Sequence, residues 1–332
     1  MPIITEIASQ QRNLLSAGMD SSEALACHRS GFQQTPSGRR DLREVLVSHW
    51  QIGDVRITKF LEKELTRNVH RFLLLDATPE ACKDIEWLKP HFMTENGELR
   101  LSIHALVVET PSCRIIVDTC FGNDKQRQSE RSNMLCRSFL RYLEAPGFPA
   151  SSFDYVLCTH LHVDHVGWNT VFVDGKWEPT FKTARYLIVG GEYEYWSSHR
   201  EKLQFGDYMG DSVDLVFPAG LLDRIQTNHK LCDEVWLEPT PGHTPGHVSV
   251  RIASKGEQAL ITGDFIHHPC QMARPHWGTT ADADQKAAES TRRQMLARLA
   301  TESTLVIGTH FPGPTAGRVI RDGEVWRFET SV

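Results

Sequence analysis

The chain has 332 residues, of which 40% are hydrophobic and 23% are charged, and its formal net charge is −6. This is ordinary globular composition, with ample length for a buried core. The acidic balance gives no electrostatic case for nucleic acid, and no stretch approaches the roughly 18 apolar residues of a membrane helix. Composition therefore excludes nucleic acid and a membrane as the expected partners.

The first 43 residues are polar, with two short helical patterns near 4–17 and 21–28, and they predict an N-terminal arm. Residues 44–332 are expected to form one domain. The N-terminus lacks the basic and apolar segments of a secretory signal, and the eight cysteines form no CxxC pair. We therefore expect a cytoplasmic protein with reduced, mostly buried thiols, including Cys158 in a core strand.

Short apolar runs that alternate with turns follow the arm and predict strands. Two hairpins are expected, over 45–50 with 55–60 and over 101–108 with 113–117. Further strands are predicted over 153–158, 186–189, 235–238, 247–252, 259–262 and 305–307. Helical patterns cover 79–88, 131–144, 191–203, 219–227 and 283–300. Strand pairs interleaved with helices favour an α/β body with its helices outside.

The most informative segment is 159–165, THLHVDH, which holds three histidines and an aspartate. Neutral imidazole and carboxylate are ligands for zinc-like divalent metals. His160 and His162 are two positions apart at a strand end, so their side chains point the same way and can bind one metal. Asp164 and His165 come where the chain should turn away. They can therefore bind a second metal.

Three more candidate ligands lie downstream. His243 is bracketed by prolines and glycines in the loop PGHTPG at 241–246, which fixes the backbone without a regular element. Asp264 and His310 each follow an apolar strand after a glycine-containing exit. Strand ends are where open α/β sheets usually place their sites. The combined pattern indicates a two-metal site.

With these motifs the chain resembles the metallo-β-lactamase-fold hydrolases over about residues 101–310. The resemblance implies a four-layer αββα sandwich with the metal site at the sheet edge. It implies two divalent metal ions, with Zn²⁺ expected. One metal would be bound by His160, His162 and His243. The other would be bound by Asp164, His165 and His310, and Asp264 would bridge both.

Other positions near these motifs are interpreted as supporting groups. The segment 115–119 resembles an early family strand that ends in Asp-Thr-Gly, with Cys120 in place of the glycine. Asp118 is expected to support a ligand rather than to bind metal, and His247 to support its loop. His268 and His276 belong to no motif and are not expected to be ligands.

The aspartate at position 264 argues against antibiotic hydrolysis, because the true β-lactamases of this fold lack a bridging aspartate there. The pattern is closer to lactonases, glyoxalase II-like thioesterases and organophosphate hydrolases. The short segment after His310 disfavours the glyoxalase II-like group, which carries a helical domain at that end. A lactonase-like or arylesterase-like enzyme is the expectation that remains.

We therefore expect a metal-dependent hydrolase that cleaves an ester or lactone bond with a hydroxide shared by two metals. Asp164 and Asp264 are the expected catalytic carboxylates. His267 stands where lactonases of this fold often carry a tyrosine, and it is a candidate for substrate contact or proton transfer. The open alternatives are a phosphotriester or phosphoester hydrolase on the same centre, and a sulfur dioxygenase-like enzyme with one iron.

The substrate is expected to be a small molecule, and a homodimer is left open. Trp168 and Trp277 are candidates for an apolar pocket wall, with a core position as the alternative. The aromatic segment 192–208 is a candidate lid over the site or a dimer face.

Overall fold

The computed structural model describes residues 48–330, so the predicted arm and its two helical patterns lie outside the described residues. The strands of this range are β1 (His49–Ile52), β2 (Val55–Leu65), β3 (Leu101–Glu109), β4 (Arg114–Val117), β5 (Tyr155–Leu157), β6 (Thr170–Val173), β7 (Lys176–Pro179), β8 (Arg185–Val189), β9 (Leu222–Ile225), β10 (Val235–Pro239), β11 (Val248–Ser254), β12 (Glu257–Ile261), β13 (Thr304–Ile307), β14 (Ala316–Asp322) and β15 (Val325–Thr330).

The α-helices are α1 (Phe139–Glu144), α2 (Gly190–Ser198), α3 (Tyr208–Ser212), α4 (Cys270–Ala273) and α5 (Gln285–Leu299). The longest of them, α5, begins where the Asp284 side chain accepts hydrogen bonds from the backbone N–H groups of Lys286 and Ala287. None of the helices in the described range is long and apolar enough to cross a bilayer.

Two mixed sheets make up most of the fold. The first has seven strands in the order β1-β2-β3-β4-β5-β8-β9, and its pairs from β4 to β9 are parallel. The second has six strands in the order β10 to β15, with one parallel pair, β12 and β13, in its middle. Parallel strands align their carboxyl ends, so the loops that leave β4, β5, β12 and β13 are placed to carry a site.

Buried side chains on both faces of the sheets create four layers. Along β3, Leu106 and Val108 pack in an aliphatic core that joins the two sheets, whereas Ala105 and Val107 pack in a core shared with α1, α2 and α3. The opposite side of the second sheet is covered by α4 and α5. Alternation along the strands therefore produces an αββα sandwich, which confirms the expected fold class.

The helix expected over 79–88 is wrong. Its buried side chains, Cys82, Ile85 and Leu88, recur at every third residue, which mimics a helical pattern. The backbone makes consecutive i to i+3 turns instead, with N–H groups of Ile85 and Leu88 bonded to the carbonyls three residues earlier. The helix predicted over 131–144 is confirmed only in its second half, which forms α1.

The helix expected over 219–227 is also wrong, because its central residues form β9. The backbone of β9 pairs in parallel with β8, and tertiary pairing overrides the local pattern. Two hairpins, β6 with β7 and β14 with β15, were not predicted. Their two-residue turns, Asp174-Gly175 and Gly323-Glu324, are recognisable hairpin signals.

The cysteines follow the prediction in part. Cys158 is buried, as expected, but it lies just after β5 rather than within the strand, and its thiol contacts the side chain of Asn169. Cys136 is disulfide-bonded, so the expectation of reduced thiols fails there. The other described cysteines are free, namely Cys82, Cys113, Cys120, Cys158, Cys232 and Cys270.

Candidate metal centre

Loops that follow strands of both sheets bring all seven predicted ligands together at one edge of the sandwich. The loop after β5 carries those at positions 160–165, and the loop between β10 and β11 carries His243. Asp264 follows β12 and His310 follows β13. The first of these loops leaves one sheet and the others leave the second sheet. The site therefore requires both halves of the sandwich.

Three ring nitrogens face one another in the first cluster. His162 Nδ1 lies 3.0 Å from His160 Nε2 and 2.9 Å from His243 Nε2. A neutral imidazole has one N–H and one lone pair, so three converging rings cannot all satisfy each other. The arrangement is the one expected of imidazoles that share a cation.

The second cluster joins a carboxylate and two imidazoles. Asp164 lies 3.6 Å from His165 Nε2 through Oδ1 and 3.6 Å from His310 Nε2 through Oδ2. Candidate ligand atoms of these three residues all lie within 4.8 Å of one another. His165 Nε2 is buried without a hydrogen-bond partner among the described residues. A ring nitrogen whose partner is a metal ion would have this environment.

Asp264 lies between the two clusters. Its Oδ2 is 3.1 Å from His310 Nε2 and 3.3 Å from His165 Nε2, on the side of the second cluster. The same oxygen is 3.6 Å from His243 Nε2 and 3.8 Å from His160 Nε2, on the side of the first. Its Oδ1 is buried and has no hydrogen-bond partner within the described chain. One carboxylate thus reaches both clusters.

Burial and neighbouring charge shift the pKa values of three candidate ligands, His160, His162 and Asp264. Burial, together with the neighbouring His165, lowers the pKa of His160 well below its usual value. Burial and His243 do the same to the pKa of His162. Burial alone would raise the pKa of Asp264, but the imidazoles of His310 and His165 hold that pKa well below its usual value. Neutral rings and an ionised carboxylate are the ligand forms of these groups.

The donor set fits divalent metals of the zinc type. The predicted ligands comprise five imidazoles and two carboxylates, and the candidate metal groups of the described chain contain no thiolate. Such a nitrogen-rich set with some oxygen suits zinc and its first-row neighbours. Two buried atoms without a hydrogen-bond partner in the described chain, His165 Nε2 and Asp264 Oδ1, are free to serve as metal ligands.

Other side chains orient the ligand rings. His243 Nδ1 lies 2.8 Å from Asp282 Oδ1, and both side chains are fully buried. His165 Nδ1 lies 3.0 Å from Asp118 Oδ2, which agrees with the supporting role expected of that aspartate. Asp282 was not predicted to have this role, because it belongs to none of the metal-binding motifs. Carboxylate partners of this kind fix which ring nitrogen faces the metal.

His247 supports its own loop, as expected, and it also contacts the loop of Asp264. Its Nδ1 donates to the Thr240 carbonyl at 2.9 Å, which leaves Nε2 to accept from the Asp264 backbone N–H at 2.6 Å. Gly263 precedes this contact with a φ of 56°, and a Cβ there would lie 2.5 Å from His247 Nε2. The tight exit from β12 therefore requires glycine.

Glu192, at the start of α2, links the two ligand loops. Its carboxylate accepts from the backbone N–H of Leu161 at 3.1 Å and from that of Gly246 at 2.8 Å. It also accepts from the indole N–H of Trp196 at 2.7 Å, and the Trp196 ring packs against His162. The sequence offered no signal for this role, since a glutamate in a helix is usually exposed.

His267 completes the buried floor of the site. Its Nε2 lies 3.1 Å from Asp264 Oδ2, and its ring stacks on His310 with the ring centroids 5.8 Å apart. Candidate ligand atoms of His243, Asp264 and His267 also lie within 4.8 Å of one another. His268, by contrast, bonds to the Phe92 carbonyl. As expected, it belongs to no candidate metal group of the described chain.

A cavity of about 340 Å³ opens onto this floor. Its size suits a small-molecule site. Trp168 and Trp277 do not line it: Trp168 donates to Glu62 and stacks on Phe139, and Trp277 packs beside α4. The aromatic segment 192–208 does contribute to the wall, as the lid hypothesis expects. The aromatic lining residues are Phe72, Phe121, Tyr195, Trp196, Phe205 and Tyr208.

Removing the Asp282 carboxylate tests the orientation of His243. We expect Asp282→Ala to weaken metal binding by about 10- to 100-fold, because the ring loses the acceptor that fixes its tautomer. Chelator competition measures the metal dissociation constant. Asp233→Ala, at an exposed aspartate outside the cavity, is the matched control. Equal metal affinity in Asp282→Ala and the wild type would contradict the assignment.

Two curated proteins are similar to this chain in sequence. A probable metallo-hydrolase of Mycobacterium tuberculosis is 29% identical over 187 residues, which cover 51% of this chain and 58% of that protein. An N-acyl homoserine lactonase of a Bacillus species is 28% identical over 123 residues, 37% of this chain and 42% of that protein. The chain thus matches little more than half the length of these curated relatives at most.

Solved structures share the fold over a larger part of the chain. The dizinc quorum-quenching lactonase AidC superposes with a TM-score of 0.69 at 22% identity, over 86% of this chain and 97% of AidC. The hydrolase AbOPH gives the same TM-score and coverage at 24% identity. The family model described as the metallo-beta-lactamase superfamily matches residues 100–310. The chain belongs to the metallo-beta-lactamase superfamily.

Proposed function

We propose that the protein is a dinuclear metal-dependent hydrolase that cleaves ester or lactone bonds. The observation that carries the proposal is the position of Asp264, whose single Oδ2 lies within 3.8 Å of ring nitrogens from both histidine clusters. A carboxylate in that place can be shared by two metals. Residues 44–332 are proposed to form the catalytic domain.

The proposed ligand assignment follows the two clusters. The first metal would be held by His160, His162 and His243. The second would be held by Asp164, His165 and His310, with Asp264 shared. When bound, two divalent ions supply Lewis acidity and a water of lowered pKa. We propose zinc, because the donor set suits it and because AidC is described as a dizinc enzyme.

The protein side chains have two proposed tasks. Asp164 and Asp264 carry two negative charges, which leaves a dinuclear centre with an excess of positive charge for a substrate that becomes anionic in its transition state. His267 is proposed to donate a hydrogen bond from Nε2 to the leaving oxygen as negative charge develops there, since that nitrogen faces the shared carboxylate at the floor of the cavity. The proton that completes the leaving group comes from the attacking water, whose hydroxide is added to the carbonyl carbon.

An ester or lactone substrate is supported by the relatives. The similar curated proteins include N-acyl homoserine lactonases of Bacillus species, and AidC is described as a lactonase in complex with a product. The cavity supports a substrate with a large apolar part, because its aromatic wall is joined by aliphatic side chains such as Leu65, Leu101 and Ile103.

The decisive experiment couples metal quantification to a substrate panel. The purified protein is expected to contain two zinc ions per chain and to hydrolyse lactones or aryl esters faster than thioesters and phosphotriesters, compared by kcat/KM. One iron per chain without hydrolysis would overturn the proposal in favour of a dioxygenase. Faster turnover of phosphotriesters than of every lactone and ester would favour the phosphotriesterase alternative.

Chelation should remove both activity and stability. Because the ligands are buried and their unfolded forms bind metal weakly, metal loss should lower the melting temperature by at least about 5 °C. Differential scanning calorimetry before and after treatment with a chelator measures this shift. Re-addition of Zn²⁺ should restore the melting temperature and hydrolysis together. A metal-depleted protein with unchanged melting temperature and activity would exclude a resident metal centre.

A cytoplasmic location and a homodimer remain proposals. A dimer face is supported by exposed apolar side chains, of which Phe172, Val173 and Phe217 are each at least 40% exposed. Sedimentation equilibrium of the purified chain tests the dimer directly.

A further inference from the structure

Two basic side chains stand at the mouth of the cavity. Arg131 and Lys202 both line it and both are exposed, whereas Asp264, His267 and His310 at its other end are buried. The cavity therefore runs from a buried floor, where the chemistry is proposed, to a mouth that carries positive charge. The stretch between them is lined largely by apolar side chains.

Aromatic walls hold both cations in place. The guanidinium carbon of Arg131 lies 4.1 Å from the ring centroid of Phe72, within the range of a cation–π contact. Lys202 Nζ lies 5.4 Å from the ring centroid of Tyr195 and 3.5 Å from its hydroxyl. Phe72 and Tyr195 themselves line the cavity. The two charges are thus presented from the walls of the cavity rather than on freely moving chains.

Within the described part of the chain, neither cation has an acidic partner. Among residues 48–330, no carboxylate oxygen lies within ion-pair distance of Arg131 or Lys202, although Arg200 nearby pairs with Asp207 and Asp214. The chain as a whole is acidic, with a net charge of −6, so two cations at one opening without acidic partners in the range that the structure describes differ from the general charge of the protein.

The carboxylates among the described lining residues are all engaged at the floor of the cavity. Asp164 and Asp264 face the candidate metal ligands, and Asp282 is paired with His243. None of them opposes the positive charge at the mouth. An anionic ligand would therefore meet attraction at the mouth and no uncompensated negative charge along the way.

We propose that the substrate carries a carboxylate at the end opposite its scissile ester or lactone bond, with an apolar segment between them. This inference rests on the proposed hydrolase function and adds a substrate class to it. Arg131 and Lys202 bind the carboxylate, and the apolar walls contact the connecting segment. The reacting carbonyl then lies at the floor, beside Asp264 and His267.

The test compares two 4-nitrophenyl esters of equal chain length, the hexanoate and the mono-ester of adipic acid, which ends in a free carboxylate. Both have the same leaving group, so only the far end differs. We expect kcat/KM of the wild-type holoenzyme to be about tenfold higher for the adipate ester, through a lower KM. The preference should decrease as ionic strength rises, since the cations are exposed.

The double variant Arg131→Gln/Lys202→Gln is expected to lose this preference, so that the ratio of the two kcat/KM values falls to about one. The matched control is Lys255→Gln/Arg321→Gln, which removes the same charges from residues outside the cavity lining. It should retain the wild-type ratio. The Arg131→Lys/Lys202→Arg exchange, which keeps both charges, should restore most of the preference.

A binding measurement separates failure of this inference from failure of the proposed function. The corresponding 4-nitroanilides are amides with a poorer leaving group, and calorimetric titration compares their affinities for the wild type and the double variant. Equal or tighter binding of the neutral anilide by the wild type would overturn the inference. Preferential binding of the anionic anilide without hydrolysis of either ester would support the inference and contradict ester hydrolysis.

Discussion

Asp264→Asn is expected to lower kcat/KM for the best ester or lactone by more than about a hundredfold, because even outer partners of metal ligands are worth roughly 10- to 100-fold. The amide keeps the size of the side chain but removes the negative charge shared by the two clusters. His310 Nε2 and His165 Nε2, at 3.1 and 3.3 Å, would then face a neutral group. Steady-state kinetics and metal content per chain measure the effect.

Asp264→Asn is expected to weaken metal binding as well as to lower the rate of hydrolysis. We expect the metal content to fall below two ions per chain, and added Zn²⁺ to recover little activity. Asp174→Asn is the matched control, because this exposed aspartate lies in the turn between β6 and β7 and tolerates the same change. Full metal content with wild-type kcat/KM in Asp264→Asn would show that the carboxylate is not shared between metals.

Glu192→Ala is expected to lower metal affinity and kcat/KM by about 10- to 100-fold, although the side chain contacts no proposed ligand atom. It would leave the backbone N–H groups of Leu161 and Gly246 without their acceptor in a buried place. Each such unsatisfied group costs about 1–3 kcal/mol, so the two ligand loops should shift. Chelator competition and the melting temperature measure the two consequences.

Two variants separate this positioning role from general destabilisation. Glu194→Ala lies on the same helix with a largely exposed side chain, and it should leave metal affinity unchanged. Glu192→Gln retains one acceptor oxygen and should recover part of the metal affinity, because that oxygen can still serve Leu161 and Trp196. If Glu192→Ala melted earlier but bound metal as tightly as the wild type, the glutamate would be structural only.

Local sequence patterns predicted most strands, because a run of alternating or continuous apolar residues between turn signals is typical of a strand in a buried sheet. They failed where a partner strand decides the conformation. The residues of β9 have an ambiguous local pattern, and only the parallel edge of β8 makes them a strand. The segment 79–88 failed for a related reason, since side chains buried at every third position fit successive turns as well as a helix.

The residues that line the cavity could not be predicted from local sequence patterns. Trp168 is adjacent to the histidine motif in the chain, yet its ring packs away from the site against Phe139 and bonds to Glu62. Proximity along the chain does not give the direction of a side chain after a turn. Phe72 and Arg131, which do reach the cavity, come from segments distant in sequence from every motif.

The sequence by itself determined which residues were candidates for the metal centre, because the period-two spacing of His160 and His162 and the strand-end positions of Asp264 and His310 have direct geometric consequences. Only the tertiary structure showed which side chains orient these ligands and which residues line the cavity beside them. Asp282 reaches His243 from a distant loop, and Glu192 joins two loops that no local pattern connects. The Glu192 contact with Gly246 arises only when both sheets pack, since Glu192 follows a strand of the first sheet and Gly246 lies in a loop of the second. The Asp282 contact joins two loops of the second sheet that are far apart in sequence.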